Sequence, residues 1–218
     1  MERRHLCVVA NYPILNLPST ENGKAAQNDG RRVLIYIGDL DRPRGLDIMF
    51  QIAALLEPYN VELKLMGHFQ DPKDEQFARQ LPNVRYFGFQ PLDVVYQHLS
   101  NADLGLVLLQ PTGGYRDAGE NTTKLFDYMG CGLPVVASDF PNLRRIVEDA
   151  ESGICVDPCC AETAAREILS LLRQPDHLRR LGGNGRRAVR ERYNWAQESK
   201  NLLRVYAKLV GTTKNGEA

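Results

Sequence analysis

The chain is short of several things at once, and each shortage removes a class of protein. It has no net charge: 27 Lys and Arg stand against 27 Asp and Glu, so no overall field draws it toward nucleic acid or an acidic membrane. It has no long apolar run. Nothing approaches the roughly 18 to 20 apolar residues that cross a bilayer, and Leu6-Cys7-Val8-Val9-Ala10 is too short an apolar stretch for a signal peptide. The five cysteines are odd in number and lack framework spacing, which points to reduced thiols and a cytoplasmic chain. Cys159 and Cys160 are adjacent, too close for a Cys-x-x-Cys site. His5, His68, His98 and His177 are scattered with no Cys or carboxylate pattern beside them, so all four read as structural or surface residues. What is left is 218 residues, 43% hydrophobic and 25% charged. That is ordinary globular composition, enough for one good-sized domain or at most two small ones.

Strand and helix patterns alternate along it. Leu6 to Ala10 reads as a strand ended by Asn11-Tyr12-Pro13, and a linker rich in Asn, Pro, Ser and Gly follows. Residues 1–30 are expected to be an interdomain remnant and linker, 31–210 a single domain, and 211–218 a tail. Apolar runs predict strands at Val33–Ile37, Val61–Met66, Val84–Phe87, Leu104–Leu109, Pro134–Ser138 and Gly153–Val156. Helices are predicted at Leu46–Leu56, Asp74–Gln80, Leu92–Leu99, Lys124–Met129, Asn142–Val147, Ala161–Leu172, His177–Arg192 and Trp195–Val210. Leu181-Gly182-Gly183-Asn184-Gly185 is expected to break the seventh of these. Leu202, Leu203, Val205, Tyr206 and Leu209 share the apolar side of the last. Strands apolar throughout and separated by helices imply an α/β fold, a single doubly wound parallel sheet of Rossmann-like type. In such sheets ligands sit beyond the carboxyl ends of the strands.

The stretch Gly119 to Asp139 stands out among the post-strand loops. A small-residue loop enters a helix, Gly130-Cys131-Gly132 ends that helix, and a short buried strand follows. The start of such a helix gathers free backbone N–H groups and the positive end of the helix dipole, which suits an anion. Lys124 stands at that end. Asp127 follows one turn later, able to accept from sugar hydroxyls. A phosphate binder beside a hydroxyl binder suggests a nucleotide or nucleotide sugar.

The residues then match a family. Gly38-x-Leu40 with Arg44-Gly45, then Leu65-Met66-Gly67, Val84-Arg85-Tyr86-Phe87-Gly88 and Ala102-Asp103-Leu104 occur in order. The run from Asn121 to Ala137, Gly153-Ile154 and Tyr193-x-Trp195 complete the set. Together these resemble the carboxyl-terminal half of retaining GT-B glycosyltransferases, within the polysaccharide-synthesis branch of the family that includes sucrose synthase and bacterial mannosyl- and capsule glycosyltransferases. The resemblance covers about Cys7 to Leu209. It implies that this half grips a nucleoside diphosphate sugar without metal, and that a missing amino-terminal domain, carried by another chain or cut away, supplies the acceptor site.

Residue by residue, the resemblance assigns the diphosphate clamp to Arg44, whose fork suits phosphate. The basic residue usual after Gly38 is Asp39 here, and Arg42 is the candidate to replace its charge. The ribose carboxylate falls on Asp127. The carboxylate that would meet the donor sugar falls on Gly119, with Glu120 one place away, either a substitute or a residue that simply favours the helix start. Lys124 becomes a phosphate ligand and a second charge-stabilising residue beside Arg44. The amides of Thr122 and Thr123 meet the β-phosphate, Gly88 and Phe89 meet the base, and Gly38 and Asn121 are further donor-binding residues. Two other readings stay open: a catalytically idle nucleotide-sugar-binding module, and half of a nucleotide-sugar epimerase. The basic run Arg179, Arg180, Arg186, Arg187, Arg190 and Arg192 is either a solvated face or a peripheral contact with the inner face of a membrane, toward a lipid-linked acceptor.

Overall fold

The computed structural model describes residues 7–14, 30–119 and 121–213. Six strands, β1 (Arg32–Ile37), β2 (Val61–Met66), β3 (Val84–Tyr86), β4 (Leu104–Val107), β5 (Val135–Ser138) and β6 (Gly153–Val156), form one sheet. Their order is β3-β2-β1-β4-β5-β6, and every pairing is parallel. The chain runs outward from β1 to β3, then returns to place β4 on the other side of β1. That reversal leaves a crevice beyond the carboxyl ends of β1 and β4, where the loops diverge.

Alternation along each strand builds two cores. Leu34, Tyr36, Leu63, Leu65 and Leu106 face α1 (Leu46–Leu56) and α6 (Ala161–Leu172). Val33, Ile35, Val107, Val135 and Ala137 face the other way. There they meet α3 (Leu92–Asn101), α4 (Thr123–Gly130) and α5 (Pro141–Asp149). All ten of these strand side chains are buried, and the Val, Leu and Ile among them each contribute about 1.5–3 kcal/mol. Burial on both faces is why the strands are predominantly apolar, with Glu62 and Lys64 in β2 and Arg85 in β3 among the exceptions, joined in ion pairs. The short α2 (Pro72–Ala78) is capped by Asp71, whose carboxylate accepts from the Lys73 N–H.

Three expectations are corrected. Cys7 to Ala10 form no strand; the Ala10 N–H donates to Glu198 Oε1 at 2.9 Å, and the Trp195 N–H to the Pro13 carbonyl at 3.0 Å. The segment is a strap across the start of α8 (Trp195–Thr213), with Tyr12 set against Phe126 and Tyr193. The helix does not break at residues 181–185: α7 runs unbroken over Pro175–Glu191. Gly182 serves contact, since a Cβ there would lie 2.1 Å from the Gly132 carbonyl oxygen. A helical glycine costs up to ~1 kcal/mol against Ala, and here it lets α7 settle on the turn after α4. Finally, α8 continues to Thr213, past the start of the expected tail, and its Leu203 and Tyr206 are 66% and 58% exposed.

Candidate functional site

The site is built on α4. Thr122 precedes the helix, donating its N–H to the Gly119 carbonyl at 2.9 Å while its own carbonyl receives the Leu125 N–H. At the other end the Gly132 N–H reaches the Met129 carbonyl and the Leu133 N–H reaches that of Tyr128, both at 2.9 Å. This paired closure ends the helix after two turns. The loop ends beside it are knitted by backbone: Gly38 donates to Met66, and Gly67 to Gly88, each at 2.9 Å.

These loops enclose a cavity of about 370 Å³ whose walls include Gly38, Met66, Phe89, Thr123, Lys124 and Asp127. A larger cavity, about 550 Å³, lies at the opposite end of the sheet between Arg32, Asp103, Leu133 and Arg186. Size does not decide between them; the helix start and the post-strand glycines belong to the smaller.

The Lys124 Nζ donates to the Tyr36 hydroxyl at 2.6 Å. Burial, and next the positive charge of Arg44, pull the amine down to about 7, against the opposing pull of Asp39 and Asp41. Burial pushes the Asp127 carboxyl up to about 6. Arg44 is held by Asp41, lies 3.3 Å from an Asp39 oxygen and stacks over Tyr115 with 5.6 Å to the ring centre. Burial works against its charge, yet Asp41 and Tyr115 keep its pKa above the ordinary value.

Gly38, Phe89, Thr123, Lys124 and Asp127 therefore meet at one cavity. Arg44 adjoins it through Asp39 and the field it exerts on Lys124. Arg42 is turned away: its guanidinium grips Asp74 at 3.0 and 3.1 Å and approaches Asp47 at 3.3 Å. The Thr122 amide is engaged with Gly119, as stated, and the Asn121 Oδ1 accepts from the Gly119 N–H at 3.0 Å. Gly88 shares its carbonyl with Gly67, while Phe89 is 70% exposed and stacks on His68 with ring centres 5.2 Å apart. Glu120 lies outside the described residues. Two participants escape the sequence reading, Tyr36 and the Asp39–Asp41 pair. The available signals are a phenol inside the aliphatic run VLIYI and two acids within five residues of Arg44. Among the described residues no group of three His, Cys, Asp or Glu is placed to hold a metal ion, and no helix is long and apolar enough to cross a membrane.

Residues 19–188 match the family described as Glycosyl transferases group 1. Phosphatidyl-myo-inositol mannosyltransferase of Mycobacterium tuberculosis is 29% identical over 200 residues, 86% of this chain and 51% of that protein. Sucrose-phosphate synthase from Thermosynechococcus elongatus superposes with a TM-score of 0.68 at 26% identity, covering 92% of this chain and 50% of that one. The Anabaena protein HepE, solved in complex with UDP-glucose, superposes with a TM-score of 0.69 at 18% identity, covering 82% and 49%. The chain thus spans about half the length of the relatives it matches.

Proposed function

The chain belongs to the glycosyl transferases group 1 family, and from that membership we propose that it is the donor-binding half of a retaining glycosyltransferase. The donor is a nucleoside diphosphate sugar, and the acceptor site is supplied by a second domain. The observation that carries the reading is the pairing of Lys124 and Asp127, one helical turn apart on the wall of a cavity beyond the carboxyl ends of the strands. HepE, of similar fold, was solved with UDP-glucose.

Transfer breaks the bond between the sugar's anomeric carbon and the diphosphate, and the electron pair stays with the diphosphate. The charge to be stabilised therefore grows on the phosphate oxygens. Lys124, Arg44 and the α4 start are the groups available to receive it, a preorganised electrostatic contribution. Asp127 is the acceptor for ribose hydroxyls, and Phe89 on His68 offers a face to the base. No metal enters this scheme.

A nucleotide panel tests it. Thermal unfolding with UDP, GDP and ADP, each at about 100 Kd, should stabilise by about 2.7 kcal/mol for the cognate base, raising Tm by about 5 °C or more. No shift with any nucleotide overturns the proposal. A second reading, an idle nucleotide-sugar-binding module, is favoured by one feature: the Asp39 and Asp41 carboxylates offset the charge of Arg44. Donor hydrolysis or transfer on supplying a family amino-terminal domain excludes the idle module; binding without turnover supports it.

A further inference from the structure

Tyr36 is fully buried, yet its hydroxyl is engaged from two sides. It donates to the Asp39 carbonyl at 2.7 Å and accepts from the Lys124 Nζ at 2.6 Å. A hydroxyl has one proton to give. With that proton spent on a fixed backbone carbonyl, only lone pairs face the amine, so the phenol favours a Lys124 that donates. The amine also lies 3.9 Å from the Tyr36 ring centre, in reach of the ring's electrons. On its other side is bare backbone: a Cβ at Gly38 would stand 2.9 Å from Nζ, and Gly38 has φ +118°. The amine is thus gripped between phenol and glycine, at the wall of the 370 Å³ cavity.

Resting on the donor-site reading above, we infer that Tyr36 is a positioning residue: its hydroxyl aims Lys124 at the diphosphate, and diphosphate binding is coupled to uptake of a proton by that amine. The groups that act on the amine are Tyr36 on β1 and Asp39, Asp41 and Arg44 on the loop after it, and Asp127 on α4 shares its cavity wall. His68 stands on the cavity wall, and Tyr115 acts through Arg44. Burial and Arg44 leave the amine about half charged near pH 7. The diphosphate of a nucleotide sugar is a diester that keeps its negative charges throughout this range. Its arrival favours the ammonium, and above about pH 7 that ammonium must draw its proton from solvent.

The test is calorimetric titration of UDP-glucose and GDP-mannose at about pH 6 and pH 8, in buffers of differing ionisation heat, with wild type and Tyr36→Phe. Wild type should take up close to one proton at the higher pH and little at the lower. Tyr36→Phe should bind the nucleotide sugar about tenfold more weakly, the size of one charge-assisted hydrogen bond, with nucleoside binding unchanged. Equal affinity and equal proton count in the two proteins overturn the inference while leaving the donor site standing. Failure of wild type to bind any nucleotide sugar overturns the donor reading and this role with it. A ligand-free measurement guards against a variant that folds poorly. The ¹³Cε resonance of Lys124, assigned by its loss in Lys124→Arg, should titrate near pH 7 in wild type and lower in Tyr36→Phe. An unmoved midpoint counts against the inference.

Discussion

Both ends of the sheet pair guanidiniums with acids, Arg42 and Arg44 at the carboxyl ends among them, yet one cation is held differently. At the amino ends of the strands the guanidiniums meet acids: Arg31 lies 2.7 Å from Glu62, and Arg32 lies 3.1 Å from Asp103. The second Asp103 oxygen accepts the Val33 N–H at 2.8 Å. These are staples of the fold, and the larger cavity lies among them. At the carboxyl ends, Lys124 instead makes its hydrogen bond to a neutral phenol and is pulled down to about 7. Charge satisfied locally stabilises; charge held on a weak partner in a cavity is prepared for something that arrives later. The contrast supports the smaller cavity as the proposed donor site.

The largest expected effect that would sharpen the contrast is at the structural end. Asp103→Ala frees a half-exposed Arg32 and strands the buried Val33 N–H, and should cost about 2–3 kcal/mol of stability, read by urea denaturation. Nucleotide affinity of the remaining folded protein should not change; a large change would join the two ends that the structure separates. Next is Lys124→Met, expected to weaken diphosphate ligands by about 2 kcal/mol, near thirtyfold, while leaving stability at pH 7 equal or higher. A stability loss as large as that of Asp103→Ala would make Lys124 another staple.

The pH dependence of stability separates the two site residues. A lysine lowered to about 7 when folded, against about 10.4 unfolded, binds fewer protons folded than unfolded between these values. Its contribution is full above the unfolded value and is lost as pH falls toward 7, so stability should rise from pH 7 to pH 10. Asp127 has the opposite sign. Raised to about 6 when folded, it contributes below its unfolded value near 3.9 and loses that contribution as pH climbs through 6. Lys124→Met should flatten the alkaline window and Asp127→Asn the acid one. The smallest expected effect is that of Phe89→Ala, about 1 kcal/mol from lost base stacking, felt equally by nucleoside and nucleotide in a binding assay. A loss confined to the diphosphate would move Phe89 out of the base site.

Much of this was readable from sequence because the informative residues are close together. Lys124 and Asp127 sit one turn apart, and Gly132 ends their helix within the same stretch, so helical spacing alone sets them side by side. Most of the six strands were legible because burial on both faces favours apolar runs, although Glu62, Lys64 and Arg85 interrupt β2 and β3 and limits blur by a residue or two. What was hidden depends on partners distant in the chain. Arg42 advertises a positive charge, yet the carboxylates it meets include Asp74, 32 residues on. Leu6 to Ala10 has a strand's composition, but the Ala10 N–H is taken by Glu198, 188 residues away. Gly182 looks like a helix breaker until the Gly132 carbonyl is set against it. Tyr36 reads as core because its ring is core; only its hydroxyl belongs to the site.

The contact of Gly182 with the turn after α4 reaches beyond local packing. α4 is eight residues long, about 12 Å from end to end, and it works as a stiff lever whose far tip carries Lys124. A methyl group added at Gly182 would press on the fulcrum through a backbone carbonyl that has no room to yield, swinging the amine off its phenol from the remote side of the helix. Substitution at Gly182 in α7, which does not line the smaller cavity, should therefore weaken binding there with no change to a lining residue.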